Sequence, residues 1–278
     1  MPTTVKRLRP YAGSVGIPLD QIAEPARAAW IRLRDEALAI LADDLVAVWA
    51  YGGTLAAEGS PRVADLDTYV IVRRPIDAPT AQAIEDVHAA IAGETGVEWD
   101  TWYVREQDAR RRDSPLHAYR PDRQDTSWAI NRAHWLAGRY VRLHGAAPEE
   151  IVPRPEWSEL EVDLDRELEH LEAHVAAGDT DPYGATYAVL NGSRILRAIE
   201  TRDVAISKRS AGTWALEHLP ARWNPVLLAA GRAYDGQATQ EDVDLLASEM
   251  APFVAMVRDR LPSVTPRAED FWPRWSGS

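Results

Sequence analysis

The fold is decided by Leu45-Val-Ala-Val-Trp-Ala-Tyr-Gly-Gly53 and, after eleven further residues, by Asp65-Leu-Asp-Thr-Tyr-Val-Ile-Val72. The first stretch is a short apolar run rich in β-branched and aromatic residues. Such a run predicts a buried strand, which here ends at the glycine pair. The second stretch alternates at first and then becomes apolar, which predicts a second strand. The two stretches therefore place a glycine turn and an Asp-x-Asp pair in one small sheet.

The sequence around these strands predicts an α/β (α+β) domain with a small mixed sheet, followed by an all-helical C-terminal bundle. Helical periodicity covers residues 21–42, 79–92 and 128–144, and a third strand is predicted at 97–104. Three prolines between residues 148 and 155 indicate a linker. We therefore expect a first domain over residues 1–150 and a helical domain over 151–278. The later helices are predicted at 157–177, 183–201, 207–218, 223–234 and 239–261.

The composition excludes several function classes. There are 43 acidic and 31 basic side chains, which gives a net charge of −12, and there is no cysteine. The acidic balance disfavours a nucleic-acid partner and favours a cationic small molecule. The absence of cysteine excludes disulfides and thiolate sites. The N-terminus lacks the apolar core of a secretory signal, and no apolar run approaches the length of a membrane helix, so we expect a cytoplasmic protein that contacts no membrane. We expect it to be a monomer or weak homodimer.

The glycine turn and the aspartate pair together suit phosphate and metal binding. Gly52 and Gly53 lack a Cβ, so backbone amides at this turn can approach phosphate oxygens closely. Asp65 and Asp67 lie two apart on a strand, so both project from the same face. Two carboxylates held this close are stabilised by a cation between them, and Mg²⁺ prefers such hard oxygen ligands. The pattern predicts a Mg²⁺ site at Asp65 and Asp67.

The third predicted strand offers further acids for the same site. Glu98 and Asp100 are also two apart and share a face. One of them is expected to act as a general base that takes a proton from an attacking hydroxyl. The residues alone do not choose between the two. Metal, glycine turn and base together predict phosphoryl or nucleotidyl transfer.

These residues resemble a known family. An apolar strand, Gly-Gly, a loop of this length and Asp-x-Asp on a strand form a signature similar to that of the DNA polymerase β-like nucleotidyltransferases. Three later stretches resemble the helical half of the streptomycin/spectinomycin adenylyltransferases. They are Gly145-Ala-Ala-Pro-Glu-Glu-Ile151, Val189-Leu-Asn-Gly-Ser-Arg-Ile-Leu196 and Ser207-Lys-Arg-Ser-Ala-Gly-Thr-Trp-Ala-Leu-Glu-His-Leu-Pro220.

The resemblance implies an enzyme that binds ATP and its acceptor between two domains. It places Asp65 and Asp67 on the Mg²⁺ ligands and Glu98 or Asp100 on the third carboxylate. It places Gly52, Gly53 and Thr54 on the turn that binds the nucleotide phosphates. Lys208 matches a lysine that reaches those phosphates from the helical domain. Arg194 also matches a family position, but an arginine inside an apolar helix is equally expected to do no more than brace the two domains.

The implied reaction is Mg²⁺-dependent transfer of AMP from ATP to a hydroxyl of an aminoglycoside or aminocyclitol, such as streptomycin or spectinomycin, with release of pyrophosphate. Two alternatives stay open at this point. In the first, the acceptor is a protein or a tRNA, as in toxin–antitoxin nucleotidyltransferases. In the second, the chain is a relative that binds nucleotide or another ligand without catalysis.

Overall fold

A computed structural model describes residues 16–22, 24, 26–52, 65–96, 98–178 and 181–261. Its first half contains both strands and helices, and in its second half helices follow one another. The predicted fold class, a small mixed sheet followed by a helical part, is therefore confirmed. Within the described ranges, no helix has the length and apolarity needed to cross a membrane.

The sheet has four strands in the order β3-β2-β1-β4. Strand β2 pairs antiparallel with β1 and parallel with β3, and β1 pairs antiparallel with β4. The parallel pair determines where the predicted acidic residues lie, because it aligns the start of β2 with the start of β3. The strand bounds are β1 Leu45–Ala50, β2 Asp65–Val72, β3 Glu98–Arg105 and β4 Val141–Gly145.

The fourth strand corrects the predicted helix over residues 128–144. Helix α4 spans Trp128–Leu136 only. Gly138 follows with a φ of 80°, a left-handed conformation that ends a helix and suits glycine. Val141 and Leu143 are then buried while Arg142 is exposed, which is the two-residue period of a half-buried strand. Pairing with β1 therefore overrides the helical pattern in this stretch.

Helices cover both faces of the sheet. Helices α1 (Ala26–Leu41) and α2 (Ala78–Thr95) pack on the face that carries Leu66 and Val70. The other face carries Tyr69 and packs against α4. Two short helices, α3 (Glu106–Ala109) and α5 (Pro148–Ile151), also contribute buried residues to the cluster on this second face.

The helical half follows the prediction closely, with ends that differ by at most one residue. Its helices are α6 Trp157–Ala176, α7 Pro182–Thr201, α8 Lys208–His218, α9 Asn224–Tyr234 and α10 Gln240–Arg260. Helix α7 lies at the centre, and most of its residues are buried. A Cβ added at Gly192 would lie 3.0 Å from side-chain atoms of Phe253 and Val257, so α7 and α10 pack closely there.

Helix α4 belongs to both halves of the core. Trp128 and Trp135 pack with the sheet, whereas Ala129 and Ala133 pack with the helical cluster. Asp163 of α6 accepts hydrogen bonds from the backbone N–H groups of Ala129 at 2.7 Å and Ile130 at 3.2 Å. A carboxylate at this place satisfies donors that the first turn of a helix leaves free. The domain boundary at residue 150 stays a prediction.

Candidate active site

Asp67, the second aspartate of the Asp-x-Asp pair, packs against the glycine turn that follows β1. Gly52 follows β1 with a φ of +90°. A Cβ added to Gly52 would lie only 1.5 Å from Asp67 Oδ2. The backbone N–H of Tyr51 also donates to the carbonyl of Asp67 at 3.0 Å. Glycine is therefore required at position 52 by the neighbouring carboxylate as well as by the backbone conformation. Gly53 and Thr54 lie outside the described residues.

The parallel register brings the four predicted acidic positions together in two pairs. Asp67 lies opposite Asp100, and Asp65 lies opposite Glu98. Because alternate residues of a strand share a face, all four positions belong to the face that carries Tyr69. Asp67 is half-buried and Asp100 is exposed. The side chains of Asp65 and Glu98 lie outside what the structure describes.

An aromatic cluster supports this acidic face from below. The ring centroid of Tyr69 lies 4.6 Å from that of Trp135 and 5.3 Å from that of Tyr51. Tyr51 also meets Trp135 edge to face at 5.9 Å. Tyr69 and Trp135 are fully buried. The residues beside Gly52 and Asp67 are thus held by close packing rather than by a mobile loop.

Asp125 is a buried acid next to this site that the sequence analysis missed. It is 3% exposed, and the hydroxyl of Tyr69 donates to its Oδ2. The backbone N–H of Ser127 donates to its Oδ1 at 2.8 Å. Burial raises the pKa of Asp125 to about 6, and the charge of Asp100 adds to the increase. The available sequence signal was an Asp just before an apolar helix, a position that favours side-chain to backbone hydrogen bonds.

Lys208 begins helix α8 in the helical half, with Ser207 as the N-cap. Its Nζ lies 4.6 Å from the centre of the Tyr187 ring. The hydroxyl of Tyr187 donates to Glu167 Oε1 at 3.0 Å, and burial raises the pKa of this tyrosine. The predicted phosphate ligand is therefore positioned on an aromatic face.

Arg194 of α7 contacts helix α4, as expected for an arginine that braces the two halves. It donates to Nε2 of His134 on α4 at 2.9 Å and to Asn191 Oδ1 at 3.0 Å. Burial, with the charges of Arg194 and Arg139, lowers the pKa of His134 well below its usual value. The ring is neutral at physiological pH and accepts the hydrogen bond from Arg194.

The donor set at the acidic face fits a hard cation. Asp65 and Asp67 provide carboxylates at alternate positions of one strand, and Asp100 is the register neighbour of Asp67. Oxygen ligands of this kind suit Mg²⁺, which takes one or two carboxylates and completes its shell with water and phosphate. Among the described side chains, no group of three His, Asp or Glu forms a metal cluster by itself.

Comparison with known proteins finds a family match and matches to solved structures. Residues 163–260 match the family described as aminoglycoside adenylyltransferase, C-terminal domain. The resemblance to the aminoglycoside adenylyltransferases is confirmed. The fold also matches spectinomycin adenyltransferase AAD(9) from Enterococcus faecialis, solved with ATP and spectinomycin. That match has a TM-score of 0.61 and 19% sequence identity, and it covers 82% of this chain and 99% of the other.

No curated protein matches the chain. The structural likeness shows a shared fold, and the family match lies within the helical half, where α6 to α10 form the bundle. These comparisons support the prediction that the chain is an enzyme of the nucleotidyltransferase class.

Proposed function

We propose that the chain transfers AMP from ATP to a hydroxyl of an aminoglycoside or aminocyclitol, with Mg²⁺ and with release of pyrophosphate. The observation that carries the proposal is the register of β2 and β3. It sets Asp67 beside Asp100 at the Gly52 turn, in a chain whose helical half matches the aminoglycoside adenylyltransferases. The ATP and spectinomycin of the AAD(9) structure support the choice of substrates.

The proposed binding roles follow from the chemistry of each group. Asp65 and Asp67 would hold Mg²⁺, and the ion would supply positive charge to offset that of the triphosphate. The backbone of Gly52, Gly53 and Thr54 binds phosphate oxygens. Lys208, a compact point charge at a helix N-terminus, binds the triphosphate from the helical half.

For the general base, the register favours Asp100 over Glu98. Asp100 is level with Asp67, whereas Glu98 is level with Asp65, nearer the start of both strands. Asp100 takes the proton from the acceptor hydroxyl while the oxygen of that hydroxyl bonds to the α-phosphorus of ATP. The bond from that phosphorus to the bridging oxygen breaks, and pyrophosphate leaves. The products are the AMP ester of the acceptor and pyrophosphate.

The choice of a cationic acceptor is supported by electrostatics. The net charge of −12 raises the local concentration of a polycation near the protein. A nucleic-acid acceptor would instead be repelled by the same charge. A tRNA or protein acceptor, and nucleotide binding without transfer, are therefore treated as outcomes of the test.

The test is pyrophosphate release from Mg·ATP with spectinomycin, streptomycin and a panel of aminoglycosides, one acceptor in each reaction. We expect release with at least one acceptor and its loss in Asp67→Asn. Asp44→Asn is the matched control, because Asp44 forms an ion pair with the largely exposed Arg74 at 2.8 Å, and neither belongs to the proposed site. It should keep the activity of the wild type.

Other results would redirect the proposal. Release that persists in Asp67→Asn would contradict the metal assignment. Silence across the panel, with Mg²⁺-dependent ATP binding intact, would point to a macromolecular acceptor or to a protein that binds without catalysis. Loss of activity in Asp100→Asn but not in Glu98→Gln would support Asp100 as the base, and the reverse would assign the role to Glu98.

A further inference from the structure

A buried carboxyl–phenol pair lies beneath the acidic face and has no role in the mechanism above. The hydroxyl of Tyr69 donates to Asp125, and Asn131 Nδ2 donates to the same hydroxyl at 3.1 Å. Tyr69 is fully buried and Asp125 is 3% exposed. The phenol oxygen is therefore fixed by one hydrogen bond that it gives and another that it accepts.

The pair lies directly next to the residues of the proposed reaction. Tyr69 follows Asp67 by two residues on β2, so both side chains belong to one face of the strand. Its ring packs against Tyr51, the residue before Gly52. The charge of Asp100 also contributes to the raised pKa of Asp125.

A purely structural purpose explains this arrangement poorly. Burying a carboxyl group opposes folding unless strong partners compensate. Among the described residues no ion pair involves Asp125, and its pKa is raised rather than lowered. The nearby Arg132 is itself paired with Glu159 at 2.5 Å. An apolar pair of similar size would fill the same volume at lower cost.

We propose that Asp125 is a positioning residue that acts through Tyr69 to fix the part of β2 that carries Asp67 opposite Asp100. The inference rests on the adenylyl transfer proposed above. Tyr69 ties β2 to the segment before α4 through Asp125, and to α4 itself through Asn131. Because Asp67 lies two residues away on the same face, a shift of Tyr69 carries Asp67 with it. A misplacement of about 1 Å in such a site can cost roughly 100-fold in rate.

The kinetic test compares Tyr69→Phe, Asp125→Asn and the double variant. Tyr69→Phe removes the phenol–carboxyl hydrogen bond. Asp125→Asn leaves a single amide oxygen for the two donors that the carboxylate accepts from, the Tyr69 hydroxyl and the Ser127 N–H. Both changes nearly keep the size of the side chain. We expect kcat to fall about 10- to 100-fold, with the KM for ATP within about threefold of wild type. The double variant should fall no further than the worse single variant, because both residues act through one contact.

Tyr103→Phe is the matched control. Tyr103 is also a buried tyrosine of this sheet, but it faces the opposite side, where its hydroxyl lies 3.0 Å from His88 Nε2. This control should lower the melting temperature without lowering kcat. The inference is overturned if Tyr69→Phe and Asp125→Asn behave in the same way. It is also overturned if their effects on kcat multiply in the double variant.

A second measurement does not depend on activity. Mn²⁺ is titrated into the wild type and each variant, and free Mn²⁺ is followed by electron paramagnetic resonance. We expect weaker Mn²⁺ binding in Tyr69→Phe and Asp125→Asn and unchanged binding in Tyr103→Phe. If the wild type modifies no acceptor, the proposed function fails, but this titration still tests the positioning role. Unchanged Mn²⁺ affinity in both variants would then overturn the inference.

Discussion

Replacing Gly52 with alanine tests two structural reasons for a glycine at this position, its backbone conformation and the space available for a side chain. The first is backbone conformation, since the φ of +90° is strained for any residue with a Cβ. A strained backbone of this kind costs roughly 1–3 kcal/mol. The second is space, because the new Cβ would lie 1.5 Å from Asp67 Oδ2. Ordinary contact begins at 3.4 Å, so the carboxylate must retreat by roughly 2 Å.

The two reasons predict different observables. Strain lowers the free energy of unfolding, which for a chain of this size lowers the melting temperature by about 2–4 °C per kcal/mol. Displacement of Asp67 disturbs the proposed metal site, and we expect a fall of at least 100-fold in kcat for pyrophosphate release. Mn²⁺ affinity should fall as well. Melting temperature, pyrophosphate release and Mn²⁺ titration measure the three effects.

Gly96→Ala is the control that isolates strain. Gly96 ends α2 with a φ of +66°, and a Cβ there meets nothing within 4 Å. This variant should lose stability by a similar amount and keep the kcat and Mn²⁺ affinity of the wild type. If Gly52→Ala also kept both, the packing of Asp67 on Gly52 would not matter for the reaction, and the reasoning would be refuted.

Two further predictions concern charge. Burial raises the pKa of Asp163 from 3.8 to about 7, so between these pH values the folded state binds the proton more tightly and stability falls as pH rises. Asp163→Asn keeps an oxygen for the N–H groups of Ala129 and Ile130 but removes this titration. The melting temperature of the variant should therefore depend less on pH between 4 and 7. An unchanged dependence of the melting temperature on pH would contradict this prediction. Lys208→Ala should raise the KM for ATP about 10- to 100-fold, the loss expected for a charged hydrogen bond. Steady-state kinetics checks this, and an unchanged KM would exclude Lys208 as a phosphate ligand.

The acidic strands could be predicted because their signals are local. An apolar run that ends in glycine and an alternating Asp-x-Asp stretch each specify a strand from neighbouring residues alone. Strand β4 could not be predicted in this way, since its residues continue the helical spacing of α4. Only the left-handed Gly138 and the pairing with β1 separate the two elements. Such pairing is a tertiary effect that sequence periodicity does not contain.

Asp125 could not be found for a related reason. In the sequence it ends a charged stretch over residues 105–125, which is typical of an exposed loop. Its burial arises only when the segment before α4 closes over Tyr69. The choice between Glu98 and Asp100 is likewise a question of register between two strands. A pattern read along one strand places both acids on one face but does not say which lies beside Asp67.

Helix α4 explains how the acidic face and the helical half are kept in a fixed relation. Asn131 donates to the Tyr69 hydroxyl beneath the acids, and three residues later His134 accepts from Arg194 of α7. Asp163 of α6 holds the first turn of the same helix. Lys208 and the acidic face therefore depend on one shared element for their separation. Since transfer requires the triphosphate to meet groups from both halves, the contacts of α4 belong to the proposed reaction even though α4 supplies none of its acids.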